Sequence, residues 1–181
     1  MPRPLVFISY RHGPRWTKLA NALHLKLDAI SEGAGFDLFL DSADIRAGAE
    51  WRAKVDAALA DCTHFVSLLC DEYWARSNQC LRELFWAVKR YESTPEKRPH
   101  LLFVLAAEMR TDLLKLDGAR QRGDLVSDDP QLGAIGDVNF LGPFDINQRL
   151  ETLNSKDPQR LDKQLAQLVD RLLKTDGLKR H

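Results

Sequence analysis

The chain has 181 residues, 44% of them hydrophobic and 29% charged, the proportions of a folded domain with room for one large core. Its 26 basic and 26 acidic residues cancel, which removes the bulk electrostatic case for nucleic acid or an anionic membrane. The longest apolar runs, such as 101–107, fall far short of the ~20 residues that span a bilayer.

The N-terminal stretch "MPRPLVFISY" lacks the layout of a signal peptide. Within it "LVFISY" (5–10) is short, apolar and β-rich, and is predicted as the first strand. Trp16, Leu19, Ala20, Leu23, Leu27 and Ile30 then recur at helical spacing. "GAG" breaks that helix, its glycines suited to a C-cap and turn, and "FDLFLD" (36–41) alternates as a strand does. After the loop "SADIRAGAE" a second helix carries Trp51, Val55, Ala58, Leu59 and Cys62 on one side. "HFVSLL" (64–69) is the third strand, and a helix over 77–91 follows. "HLLFVLAA" (100–107) is the fourth strand and "VNFLG" (138–142) a fifth, with no assignment for 108–136. Asp157 and Pro158 are placed as N-cap and first-turn proline of a last helix, whose face is Leu161, Leu165, Leu168, Val169, Leu172 and Leu173.

Strands alternating with helices predict a parallel sheet covered on both faces. With five strands the expected α/β architecture is flavodoxin-like, of order 2-1-3-4-5. Ligands in such sheets bind at the carboxyl ends of the strands, between strands 1 and 3. Those ends are "SYRH" and "LCDEYWARSNQ". The 77–91 helix hangs off the second of them. Its apolar stripe is Leu81, Leu84, Phe85 and Val88, and Glu83 lies well away from that stripe. A solvated surface acid is the ordinary reading of such a glutamate. Its place beside the expected crevice is the reason to consider another.

Several chemistries do not fit. Gly33-Ala-Gly35 precedes a strand, where a dinucleotide fingerprint follows one. Neither a phosphate-binding G-x-x-x-x-G-K sequence nor G-x-S-x-G occurs. A phosphoacceptor site would pair Asp71 with an acidic cluster after strand 1, but that position reads "SYRH". The three cysteines, Cys62, Cys70 and Cys80, match no zinc spacing; Cys62 and Cys70 lie in apolar surroundings and read as buried free thiols, from which a cytoplasmic location is expected. The five histidines form no ligand pair. What remains is Arg11 and His12 on a loop, an acid at Glu83, and aromatics at Tyr10, Trp51 and Trp74. A cation, stacking surfaces and one carboxylate suit an anionic ligand carrying flat rings. Arg11 is equally a solvated loop residue, Trp51 equally core packing, and Tyr10 equally a half-buried wall.

These stretches in this order resemble a Toll/interleukin-1 receptor (TIR) domain of the bacterial kind. "VFISYRH" resembles the family's first box. "FDLFLDSADIRAGAEWRAKVDAAL" resembles its second strand, BB loop and following helix. "THFVSLLCDEYWARSNQCLRELFWAV" resembles the third strand and the helix carrying S-x-x-C-x-x-E, and "DVNFLGPF" the fifth strand. The likeness spans about residues 4–145, and a helix over about 158–175 is compatible with it.

The resemblance implies a single TIR domain over 1–181. It implies an NAD⁺ glycohydrolase that splits the nicotinamide–ribose bond to give nicotinamide and ADP-ribose or a cyclic isomer. NAD⁺ is then the substrate, with no separate cofactor and no metal. It implies Glu83, the last residue of S-x-x-C-x-x-E, as the catalytic carboxylate. Tyr10, Arg11, His12, Asp41, Trp51 and Cys80 would line the substrate site, and Asp44, Ile45, Arg46 and Gly48 of the BB loop would serve assembly with other TIR domains. The implied setting is anti-phage defence. A non-enzymatic TIR–TIR signalling module and a host-interfering virulence TIR are the alternatives. The C-terminus "DGLKRH" is compatible with continuation into a sensor domain. The sequence departs from the enzymatic pattern at Gln79, where tryptophan is frequent, at His12, where some members have another basic residue, and at Ala47, where proline is common.

Overall fold

The computed structural model describes residues 3–41, 49–70, 72–73, 78–96, 98–105, 158–175 and 178. Four strands form one parallel sheet: β1 (Leu5–Tyr10), β2 (Asp37–Leu40), β3 (His64–Leu69) and β4 (His100–Leu105), in the order β2-β1-β3-β4. This is the expected order as far as the described strands go. The fifth strand predicted at 138–142, and the unassigned 108–136, lie outside the described residues.

Central strands of a parallel sheet lose water from both faces, so their side chains read as a continuous apolar run. All six residues of β3 are buried, and so are the last five of β1. Phe7 stacks between Phe39 and Phe65 of its two neighbouring strands. Ser9 and Ser67 lie among hydrophobic neighbours and the register pairs them directly across β1 and β3; His64, also buried, opens β3.

The helices are α1 (Pro14–Ala34), α2 (Ala49–Asp61), α3 (Asn78–Ser93) and α4 (Pro158–Leu173). Right-handed crossovers decide their faces. The step from β1 to β2 runs one way along the sheet, and the steps to β3 and β4 run the other way, so α1 is opposite α2 and α3. Consistent with this, α1 packs on α4 and α2 packs on α3. Lys26 of α1 pairs with Asp162 of α4.

α1 buries Trp16, Leu19, Ala20, Leu23 and Leu27, with Ile30 at the margin. Gly33 lies inside this helix and Gly35 ends it. Gly35 takes the left-handed conformation at φ 74°, and its N–H reaches the Ser31 and Glu32 carbonyls. Only glycine adopts that angle without a steric cost. At the far end of α3, Arg90 donates to the Leu59 and Cys62 carbonyls at 3.1 and 3.0 Å, capping the end of α2, while its guanidinium stacks on Trp86. The contact locks α3 against its neighbour and fixes where the N-terminal half of α3 meets the sheet.

Candidate active site

The reversal of strand order lies between β1 and β3. Among the described residues the buried polar side chains Ser9, Asp41, Ser67 and Glu83 lie toward its carboxyl end, while buried His64 opens β3 at the other end. α3 enters with two inward lines of residues. One is the apolar stripe of Leu81, Leu84, Phe85 and Val88. The other is Cys80, Glu83 and Ala87, also inward-facing. These recur at i, i+3 and i+7, which is one face of a helix. Glu83 is therefore not on a free face: it is 1% exposed. The apolar stripe alone predicts the wrong exposure for it, because a small residue and a thiol make the second line invisible to hydrophobic periodicity.

A buried carboxylate needs donors. Ser9 Oγ donates to Glu83 Oε2 at 2.6 Å, and Gln79 Nε2, one turn earlier on α3, donates to Oε1 at 3.1 Å. Behind Ser9 stands Tyr73, whose phenol oxygen is 2.7 Å from Ser9 Oγ and donates to the Cys80 carbonyl at 3.1 Å. Cys80 is buried, and its thiol donates to the Tyr10 carbonyl at 3.3 Å, tying α3 to the end of β1. Burial pushes the Glu83 carboxyl up from 4.5 to about 7. The nearby Asp41 charge adds to this, while the bonds from Ser9 and Gln79 and the neighbouring His12 oppose it. Desolvation outweighs two donors. Burial likewise holds the Tyr73 phenol well above its ordinary value, so it stays protonated.

A second cluster adjoins the first. Asp41, buried just past β2, accepts from the Trp51 indole N–H at 2.9 Å through Oδ1. His12 Nε2 donates to the Asp41 carbonyl at 2.9 Å and lies 3.6 Å from its Oδ2. The hydrogen bond to Asp41 raises the imidazole above its usual value, against burial, which lowers it. Tyr10 is buried, with its ring 5.0 Å from that of His12 and tilted against it. Trp51 is half-buried, packs on the core and holds Asp41 through its indole N–H. Arg11 is half-buried between these clusters in sequence, and among the described residues its guanidinium has no partner.

The structure thus brings together Glu83, Cys80 and Tyr10 on one side, and His12, Asp41 and Trp51 on the other. Asp44, Ile45, Arg46, Gly48, Asp71 and Trp74 lie outside the described residues. Ser9 and Tyr73 are missing from the sequence-derived site, and Gln79 figured there only as a departure. A serine inside an otherwise apolar strand was the available signal for Ser9. Among the described residues no group of three His, Cys, Asp or Glu side chains is placed to hold a metal ion, and no helix is long and apolar enough to cross a membrane.

Fold and site together define a doubly wound α/β domain with a buried carboxylate at the switch point of its sheet. The sequence profile of the TIR domain matches residues 6–135, and the chain belongs to the TIR domain family. Among solved structures it is similar to the TIR domains in the activated Roq1 resistosome that directly recognises the pathogen effector XopQ. The TM-score is 0.57 and the identity 16%, over 93% of this chain and 99% of that one. At that identity the likeness speaks for the fold. A comparison with curated proteins finds no match.

Proposed function

We propose that this TIR domain is an NAD⁺ glycohydrolase and that Glu83 is its catalytic carboxylate. The observation that carries the reading is a buried carboxylate at the carboxyl end of the sheet, with donors on both oxygens and the buried Asp41 cluster beside it. Cleavage of the nicotinamide–ribose bond expels a neutral leaving group from a cationic ring, so no acid is needed to protonate it. The ribose passes through an oxocarbenium-like state, as in glycoside cleavage. A fixed anion in a dry site stabilises that charge strongly, because its donors are already oriented and little water screens it. The half-buried Arg11 offers a fork of donors for the pyrophosphate. The Trp51 ring, pinned through its N–H by Asp41, offers a flat surface at the margin of the same site. The products are nicotinamide and ADP-ribose or its cyclised isomer. In a bacterial cytoplasm this activity would serve anti-phage defence, switched on by assembly with other TIR domains.

Nicotinamide release from NAD⁺ tests the reading. The wild-type chain is expected to release it, and Glu83→Gln to abolish release while keeping its circular dichroism spectrum. A folded Glu83→Gln variant that turns over NAD⁺ at the wild-type rate ends the proposal. The competing reading is a non-enzymatic TIR–TIR module. It draws support from the fact that both Glu83 oxygens already have internal partners, as a structural acid would. It expects no nicotinamide release at any protein concentration.

A further inference from the structure

Ser9 has one proton and two oxygen neighbours. Its Oγ is 2.6 Å from Glu83 Oε2 and 2.7 Å from the Tyr73 phenol oxygen, which is itself 3.1 Å from the Cys80 carbonyl. Three contacts therefore run in series from Glu83 to the backbone of α3. Ser9 and Tyr73 together supply two protons. When Glu83 is ionised, Ser9 donates to it, and Tyr73 serves either Ser9 or the Cys80 carbonyl, leaving one contact without a proton. When Glu83 is protonated, its O–H donates to Ser9, Ser9 to Tyr73 and Tyr73 to the Cys80 carbonyl. Every contact then has its own proton.

We infer that Ser9 is a positioning residue for Glu83: its hydroxyl is the shared member of a hydrogen-bonded relay that reverses direction as Glu83 gains or loses its proton. The inference rests on the proposed role of Glu83 and adds how its charge state is set. Oε2 is the anchored oxygen, buried against Ser9. Oε1 is bonded to Gln79, which is only half-buried, and is the oxygen open to exchange its partner for a substrate hydroxyl. The other titratable groups around Glu83 are Asp41 past the end of β2, His12 past the end of β1, and Cys80 on α3 itself. Asp41 and His12 act on Glu83 through their charge, and the hydrogen bond to Oε2 comes from Ser9.

The test follows the Glu83 carboxyl directly, by carbon-13 NMR titration of the full chain labelled at glutamate, beside the pH profile of nicotinamide release. Ser9→Ala removes two neutral bonds from the protonated relay and one from the ionised relay, but that one is charge-assisted and its loss leaves a buried anion without a donor, so the Glu83 inflection should move up, by about one pH unit. The acidic limb of activity should move with it, and activity should recover at high pH. Ser9→Thr keeps the hydroxyl and should restore the wild-type inflection. Tyr73→Phe removes two bonds from the protonated relay and one from the ionised relay, so it should move the inflection the other way. If either Ser9→Ala leaves the inflection in place or Tyr73→Phe raises it, the relay is wrong. Should the titrations behave as expected while the wild type releases no nicotinamide at any pH, the relay stands and the proposed function alone fails.

Discussion

A carboxylate held at about 7 inside a protein costs stability, and the cost has a sign and a pH window. Folded Glu83 keeps its proton up to about 7, whereas an unfolded glutamate loses it near 4.5. Between those values the folded chain binds more protons than the unfolded one, so stability falls as pH rises. The stabilisation is fully present below 4.5 and gone once pH passes about 7. The difference of the two values corresponds to roughly 3 kcal/mol. Glu83→Gln has nothing to ionise, and Gln79 can turn its own amide to meet the new one. The variant is therefore expected to melt several degrees above the wild type at pH 8, with the gap closing toward pH 4. Thermal denaturation across that range checks it, and equal melting temperatures at pH 8 would mean that Glu83 is not held as a buried acid. His12 adds to the wild-type trend. Its imidazole is raised through Asp41, so the stability it contributes is present below about 6.5 and is lost as pH climbs through its folded value. Glu83 itself was legible in the sequence through its motif and its loop. Its partners were not, because hydrogen bonds between β1, the stretch after β3 and α3 join residues 64 and 74 positions apart.

Strands and helices were legible where their hydrophobic period was strong. β1 and β3 have the predicted boundaries, since a strand buried on both faces reads as an unbroken apolar run. β2 is shorter than predicted, Asp37–Leu40 rather than 36–41, and Asp41 leaves the sheet to hold His12 and Trp51. α3 hid its second buried line because Cys80, Glu83 and Ala87 carry little hydrophobic signal. That line makes a prediction for the first turns of the helix. Gln79→Ala removes the weaker and more exposed of the two donors to Glu83. It should raise the acidic limb of activity by less than Ser9→Ala does, and leave the unfolding free energy within about 0.5 kcal/mol of the wild type. A shift as large as that of Ser9→Ala would make Oε1, not Oε2, the anchored oxygen. Trp51 gives the matching test for α2. Trp51→Phe keeps most of the packing and loses the bond to Asp41, a cost of about 1 kcal/mol. Trp51→Ala loses the ring as well, at the low end of the ~3–5 kcal/mol typical of core aromatics, because Trp51 is only half-buried. Equal melting temperatures for the two variants would show that the ring adds nothing to the fold.

For the whole molecule the question is whether one chain carries a complete site. Glu83, its hydrogen-bond partners and the Asp41 cluster all come from the described part of a single chain. The BB loop, "SADIRAGAE", is polar and rich in small residues, a composition suited to contacts formed at a surface rather than in a core. The proposed function assigns it to assembly. Association is a mass-action effect, so specific activity is expected to rise with protein concentration, and to rise further on any scaffold that clusters the chains. The Glu83 titration, in contrast, should not depend on concentration. Gly48→Pro removes a backbone N–H and restricts the chain there. It should flatten the activity profile at its dilute value without moving the carboxyl inflection. The measurement is specific activity over a wide dilution series, run beside light scattering. A flat profile from a strictly monomeric wild-type chain would show that each chain holds the entire site, and assembly would then have no part in the chemistry.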